Sequence, residues 1–508
     1  MQGHSKVLKL RPDDAVALAL SALKAGEPSG LEGVVCRQDI PAGHKLALRR
    51  LATGEAVTKY GQVIGFADRP IQVGEHVHTH NVRMKPFRRE AEPAAAPAAA
   101  ASVPAGGRAE FNGIPRADGR VGTRNYIGVL ATVSCAASVA HFIADAAAER
   151  LLSDFPAIDG IVALGHGDGC CSPVDGEGLM LLQRTLAGFA RHPNFGGVLW
   201  VGLGCEVNLI QSLLETTGLE TGGLMRALEI QSVGGTRQAV AQGVAAIGDM
   251  LPCLNDFRRE PVSVEHLVLG LECGGSDAYS GITANPALGV AVDLLVQHGG
   301  TAILSETPEI YGAEHLLARR AVKPEVGEKL MQRIRWWESY TKRNGAIINN
   351  NPTPGNKAGG LTTILEKSLG AVAKGGTSPL NEVYRYAEAV SEKGLVFMDT
   401  PGYDPVSITG MIAGGANMIC FTTGCGTVCG FKPVPTLKLA SNTRMHRRLS
   451  EDMDLNCGRI IDGEVSVEEM GRQIFERLLE TASGRKTCSE IQGFGRHEFV
   501  PWHMGAVL

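Results

Sequence analysis

No stretch of this 508-residue chain approaches the roughly 18 uncharged apolar residues that a membrane-spanning helix needs. The opening residues, MQGHSKVLKLRPDDAVALAL, lack the unbroken apolar core and cleavage site of a secretory leader, so a cytoplasmic protein is expected. Aromatic residues make up only 5% and no basic run occurs, which removes the footprint of a nucleic-acid binder. Neither charge sign dominates: the formal net charge is -4, with 20% charged and 44% hydrophobic residues, as in an ordinary globular protein. Twelve cysteines are too dilute for a disulfide scaffold in a chain this long. They are expected as free thiols or ligands. The length predicts two to four domains.

Glycine is plentiful, and it brackets four of the cysteines. Cys170 lies in GHGDGCC, Cys205 in VGLGCE, Cys273 in LECGGSD and Cys425 in TTGCGTVCG. Three of these follow apolar runs that read as buried strands (IDGIVAL, GGVLWVGL, HLVLGL), and ANMICFTT precedes the fourth. Glycine permits tight turns and close approach of backbone to ligand, and open α/β sheets bind ligands at strand ends. A polar site at strand tips is therefore expected.

One low-complexity segment divides the chain. EAEPAAAPAAAASVPAGG, residues 90–107, has no periodic pattern and reads as an extended tether. Before it, residues 1–89 open with a Pro12–Asp14 turn and AVALALSALKAG, which predicts a short helix ended by Gly26. Short β-type runs punctuated by Gly and Pro then predict a compact, mostly β module. After the tether, strand-like and helical runs alternate: YIGVLATVSC, AASVAHFIADAAAERLL, IDGIVAL, GLMLLQRTLAGFAR, GGVLWVGL and GCEVNLIQSLLET. The pattern restarts after DFRREPV with HLVLGL, NPALGVAVDLLVQHG and TAILSE. Two α/β domains with largely parallel sheets are expected, at 108–259 and 260–508.

The small module carries Ile40-Pro41-Ala42-Gly43-His44, Lys59-Tyr60-Gly61 and His78-Thr79-His80-Asn81, which resemble the SAF (β-clip) domain. His78 and His80, two apart in a strand, would face one side as metal or carboxylate contacts; the alternative is a polar ridge. Further motifs follow in order: Arg116 through Asn125, His166 through Cys170, Gly202 through Glu206, Glu272 through Asp277, Ser305 through Glu309, Asn351 through Asn356, Glu366 through Gly370, and the closing Glu498-Phe499-Val500-Pro501-Trp502. Together they resemble the altronate and galactarate dehydratase family over nearly the whole chain. The resemblance implies removal of water from a sugar acid to give a 2-keto-3-deoxy acid with a divalent metal, iron(II) first and manganese(II) second. Abstraction of a proton α to a carboxylate builds a second negative charge, which a cation chelated by carboxylate and 2-hydroxyl stabilises. A base and an acid must also lie within hydrogen-bond reach.

Glu306, at the tip of TAILSE before Thr-Pro, is a candidate ligand or acid/base group, against the alternative of a helix-start carboxylate. His166 is a candidate ligand or base, against ordering its own loop. Cys205, Glu206, Glu272 and Cys273 are candidate ligands, with one of each adjacent pair expected to point inward. Lys357 and Lys367 are candidates to act as base or to hold a carboxylate. Asn351 and Asn356 suit substrate hydroxyls, with Asn349 and Asn350 beside them, although Asn-Pro-Thr-Pro is also turn chemistry. Arg124 and Arg116 are candidates to fork a carboxylate, against salt-bridged structural roles. Gly424 and Gly426 suggest a nest of backbone N–H groups for a carboxylate. Asp168 and Cys171 are local features, and Cys425 and Cys429, four apart, are too loosely spaced to prove a metal site.

Three other readings stand beside the dehydratase. A sulfo-lyase acting on sulfolactate belongs to the same superfamily, and a sugar-acid binding protein would keep the scaffold without turnover. An iron–sulfur dehydratase would have to use Cys170, Cys205, Cys273 and Cys425, for which no compact motif exists. The partners expected are a small sugar acid and further copies of the same chain.

Overall fold

The computed structural model describes residues 6–85, 102–171 and 173–505. The N-terminal domain consists of two small antiparallel sheets, as the SAF resemblance implies. One runs in the order Val7–Leu8, Val16–Ala19, Lys45–Ala47, His76–Val77, and the other in the order Ala56–Lys59, Gln62–Ala67, Val82–Arg83. The expected first helix is a strand instead: Val16–Ala19 is buried at all four positions and pairs on both sides. Its small apolar residues suit a doubly covered strand, and tertiary pairing overrides alanine's helix preference. Most of the Ala/Pro tether falls outside the described residues; its end, Ala105–Gly107, is a single 3-10 turn.

The alternating runs build two parallel sheets. In the second domain β1 (Tyr126–Ala131), β2 (Gly160–Leu164), β3 (Phe195–Gly202) and β4 (Met225–Glu229) lie in the order β2-β1-β3-β4. In the C-terminal domain β5 (Val268–Cys273), β6 (Thr301–Leu304), β7 (Leu380–Tyr384), β8 (Gly394–Met398), β9 (Met418–Thr423), β10 (Thr436–Ala440) and β11 (Leu455–Asn456) lie in the order β7-β8-β6-β5-β9-β10-β11. Among the described residues every pairing in both sheets is parallel, so all strand tips of a sheet open on one end. A further sheet pairs Glu110–Pro115 with Glu260–Ser263 and Val121–Gly122, tying the entry of one domain to the entry of the next.

The SAF module seats on the C-terminal domain. Lys45 and Lys59, both buried, donate to the two oxygens of buried Glu366 at 2.9 Å each, and Lys45 also donates to the Gly360 carbonyl. Contact is close enough to require glycine: a Cβ on Gly360, whose φ is +99°, would lie 2.2 Å from the Gly43 carbonyl. Among the described residues no helix is long and apolar enough to cross a membrane.

Candidate functional site

Two groups of ligand-bearing side chains lie toward the two ends of the loop Cys273–Gly281, which leaves the tip of β5. The first lies among the tips of β5, β6 and β8. Glu272, Cys273, Glu306 and Glu309 are buried there, with Lys367 and Lys374 inserted between them. Lys374 donates to Glu306 at 2.6 Å, Lys367 donates to Glu309 at 2.6 Å and to Asn351 Oδ1 at 2.9 Å, and Asn351 donates to Glu309 at 2.6 Å. Asp404, at the start of helix Asp404–Ala413, joins Glu272 and Glu306 within 4.8 Å and is the partly exposed member. The cluster holds two more carboxyls than ammoniums, and Glu272 Oε1 and Glu306 Oε1 have no hydrogen-bond partner. Such a surplus in a buried place calls for protons or a cation.

The carboxyls respond unequally. Burial, then the charges of Glu306 and Asp404, push Glu272 well above the ordinary range. Burial also works against Glu306, but the ammoniums of Lys374 and Lys367 hold it low. Asp404 is pushed up to about 7 by burial and by Glu306 and Glu309. Lys367 and Lys374 resist the effect of burial because acids surround them, so both remain ammoniums. Glu306 also adopts a left-handed backbone, φ 65°, a conformation that costs a non-glycine residue about 1–3 kcal/mol and collects at functional sites.

The second group is in the SAF module. His44, His76 and His78 bring one ring nitrogen each within 4.8 Å of the others, and His44 Nδ1 lies 2.9 Å from His76 Nε2. The other nitrogen of His44 bonds the carbonyl of Ala358, so the triad faces the C-terminal domain. Burial, reinforced by the neighbouring imidazoles and Lys45, lowers His76 to about 3 and His78 to about 4. Neutral imidazoles in a trio are a ligand set for a first-row divalent ion, and buried His78 Nδ1 has no other partner. The loop Cys273–Gly281 connects the two groups: Ala278 N bonds Gly359 O at 2.9 Å, and a small cavity between the domains is lined by Tyr60, Asp277 and Lys367.

Several expected roles are corrected by these contacts. His80 is exposed in a turn rather than in a strand with His78, and His44 and His76 take its place beside His78. Arg124 spends all five N–H groups on Glu490 and on the carbonyls of Thr123, Thr481 and Arg485, leaving none for substrate. Arg116 is likewise engaged by Pro193, Asn125 and Arg124. His166 donates to Ala131 O and accepts from Asp168 N, so it orders its own loop. Glu206 folds onto Thr132 and the amides of Leu203, Gly204 and Cys205. Asn356 forms a capping box with Thr353 and donates to Ser276 O. The Gly424–Gly426 amides are used inside their loop: Gly424 N and Cys425 N bond Gly275 O, and Gly426 N bonds Thr423 Oγ1. Cys205 is exposed in the second domain, whereas Glu272 and Cys273 are both buried, not one of the two.

Lys357 stands half-buried beside Ala358, next to the triad. The residues missed in the sequence are His44, His76, Glu309, Asp404 and Lys374. Lys374 had a signal, since it follows Lys367 by seven residues, two turns along one face.

Arg124→Lys is expected to lower stability by about 1.5–3 kcal/mol, the worth of a hydrogen bond to a charged group, without changing KM. Urea unfolding and substrate titration check it; a tenfold rise in KM at unchanged stability would restore a substrate contact.

A cavity of about 580 Å³ lies elsewhere, at the amino ends of β5 and β9 beside Val268 and Asn417. It contains none of the acid, thiol or triad groups, and ligands of open α/β sheets bind at the carboxyl ends.

Comparison with known proteins agrees with this layout. Residues 5–85 match the altronate/galactarate dehydratase SAF domain. Residues 113–255 match the D-galactarate dehydratase/altronate hydrolase second domain, and residues 264–507 match the D-galactarate/altronate dehydratase C-terminal domain. The chain is 35% identical to altronate dehydratase of Bacillus subtilis over 491 residues, covering 96% of this chain and 97% of that one. It is 37% identical to galactarate dehydratase (L-threo-forming) of Escherichia coli over 506 residues, covering 96% and 95%. The beta subunit of (2R)-sulfolactate sulfo-lyase from Chromohalobacter salexigens is 33% identical over 395 residues, covering 77% of this chain and 96% of the subunit. With all three domains matched in order, the chain belongs to the D-galactarate/altronate dehydratase family.

Proposed function

We propose that this protein is a hydro-lyase that removes water from an aldonate or aldarate of the altronate or galactarate type, working at the seam between the SAF module and the C-terminal domain. The observation that carries the reading is a triad of neutral imidazoles held against the C-terminal domain through the Ala358 carbonyl, in a chain whose C-terminal strand tips gather acids and lysines. The triad fits a divalent ion such as iron(II), with manganese(II) second, because its donors are unprotonated and the buried His78 Nδ1 is unpartnered. When bound there, the ion supplies Lewis-acid stabilisation to the carboxylate and 2-hydroxyl of the substrate.

The chain's own residues account for the proton work. Environments that push neighbouring carboxyls apart assign acid and base roles, and here Glu306 is held ionised while Glu272 and Asp404 are held protonated. Glu306 takes the base role at the proton next to the carboxylate. Asp404, at the exposed edge, donates a proton to the departing 3-hydroxyl. Lys367 and Lys374 offset the charge that develops, as fixed ammoniums rather than as bases. Lys357 takes the role of holding the remainder of the substrate, and Asn351 orients Glu309 and Lys367.

A panel of aldonates, aldarates and sulfolactate, assayed with iron(II), manganese(II) and magnesium, tests the reading. Release of 2-keto acid from altronate or galactarate supports it. Sulfite from sulfolactate in place of 2-keto acid would move the chain to the sulfo-lyase reading, and binding without turnover would make it a binding protein. The acid role of Asp404 adds a pH expectation. Activity should fall as pH rises through about 7, where Asp404 loses its proton, and Asp404→Asn should remove that limb.

A further inference from the structure

Four of the six exposed cysteines lie in one place, far from the seam in sequence and outside the groups described above. They stand at the tips of the three neighbouring strands β2, β1 and β3: Cys170 and Cys171 after β2, Cys135 in the first turn of helix Ser134–Leu151 after β1, and Cys205 after β3. The three loops are locked together by their backbones. Ser134 N bonds Asp168 O at 2.9 Å, Asn208 N bonds Gly169 O at 3.1 Å, Val207 N bonds Cys170 O at 3.3 Å, and the Asn208 side chain donates to Thr132 O at 2.9 Å. Gly169 makes the approach possible: its φ is +96°, and a Cβ there would lie 2.4 Å from the Thr132 carbonyl. Exposed free thiols are chemical liabilities, and here scaffold geometry concentrates them.

The other polar groups of these loops are already engaged. Both nitrogens of His166 serve its loop, Glu206 is wrapped by three amides and Thr132, and Asp168 pairs with His503. Apart from the Gln231 amide, which donates to Cys205 Sγ at 3.3 Å, the thiols are the donors left open, a set that selects soft metals and iron–sulfur clusters over hard ions. Span decides between a single ion and a cluster. Thiolates on one tetrahedral zinc, each about 2.3 Å from the metal, sit about 3.8 Å apart. The three sulfurs do not all lie within 4.8 Å of one another, as the nitrogens of the imidazole triad do. Cys170 lies first against its neighbour Cys171, and Cys135 and Cys205 are close enough for their charges to act on it as well.

We propose that Cys135, Cys170 and Cys205 bind an iron–sulfur cluster at the tips of β1, β2 and β3. Four-iron clusters are held by four cysteines, so three leave one iron without a protein thiolate and open to an oxygen ligand. That the oxygen belongs to a hydroxy acid rests on the hydro-lyase activity proposed above and would move the substrate hydroxyl from the triad's ion to the cluster; the cluster itself does not rest on it.

The test uses the full chain, purified without oxygen and reconstituted with ferrous iron and sulfide. Expected are roughly four irons and four acid-labile sulfides per chain with broad visible absorption. Cys135→Ser, Cys170→Ser and Cys205→Ser should each lose most of that absorption, while Cys253→Ser, Cys425→Ser and His78→Ala retain it. Circular dichroism of each variant separates ligand loss from unfolding. Galactarate should alter the electron paramagnetic resonance spectrum of the reduced cluster; an unchanged spectrum would overturn the open iron. Iron without sulfide, bound zinc, or a disulfide within the trio would overturn the cluster. Turnover of sugar acids by a sulfide-free protein would sink this inference and leave the hydro-lyase reading standing, whereas a cluster in a protein inert to every sugar acid would do the reverse.

Discussion

Glu366→Gln is expected to loosen the SAF module from the C-terminal domain and to lower unfolding free energy by about 3–5 kcal/mol, the cost of breaking a buried ion pair from one side. The wild-type carboxylate neutralises Lys45 and Lys59 at once, each at 2.9 Å, and all three side chains are buried. Glutamine keeps the shape but leaves two ammoniums without a countercharge. Replacing the trio together, with Lys45→Met, Lys59→Met and Glu366→Leu, should recover most of the loss, because an apolar filling has no charge to desolvate. The same group sets an acid limit. Burial pushes the Glu366 carboxyl up, but Lys45 and Lys59 outweigh it and hold it below its ordinary value of 4.5. The unfolded chain therefore binds the extra proton first as pH falls. The contribution is complete above 4.5 and is lost as pH drops below it. Urea unfolding across pH 3 to 7 checks this, and a Glu366→Gln protein as stable as wild type at neutral pH would refute the docking role.

The parallel sheets were legible because buried strands and helices leave different periods in the sequence. IDGIVAL and HLVLGL became β2 and β5, and NPALGVAVDLLVQHG became helix Ala284–Gln297. AVALALSALKAG was misread because alanine and leucine favour a helix in isolation, whereas here the segment is flanked by strands on both sides. Site residues were harder to read for a different reason. A sequence displays which donors exist but not which are already engaged. Arg124, Asn356 and the Gly424 amide have the right chemistry, but local structure uses it. His44 and His76 are 32 residues apart and meet only because Lys45–Ala47 pairs antiparallel with His76–Val77. Cys135 escaped because it opens a helix in VSCAAS, without the glycines that marked the other cysteines.

His76→Ala and His78→Ala are each expected to reduce kcat/KM by at least about 100-fold, since losing even an outer partner of a metal ligand costs 10–100-fold. His80→Ala, exposed and outside the triad, should change it little. Metal content supplies a readout independent of turnover: the two triad variants should lose one divalent ion per chain, and His80→Ala should not. The pH dependence of metal affinity is a sharper check. An ordinary histidine near 6.5 begins to trade metal for protons just below neutrality. His76 and His78, lowered to about 3 and about 4 chiefly by burial, stay unprotonated well below that. Affinity should thus be nearly flat from pH 8 to about 5 and fall only below it. A decline centred at 6.5 would mean that the ion is held by exposed imidazoles. Full metal content and turnover in His78→Ala would instead move the ion to Glu272, Glu306 and Asp404, the carboxyl group of donors within the same 4.8 Å span.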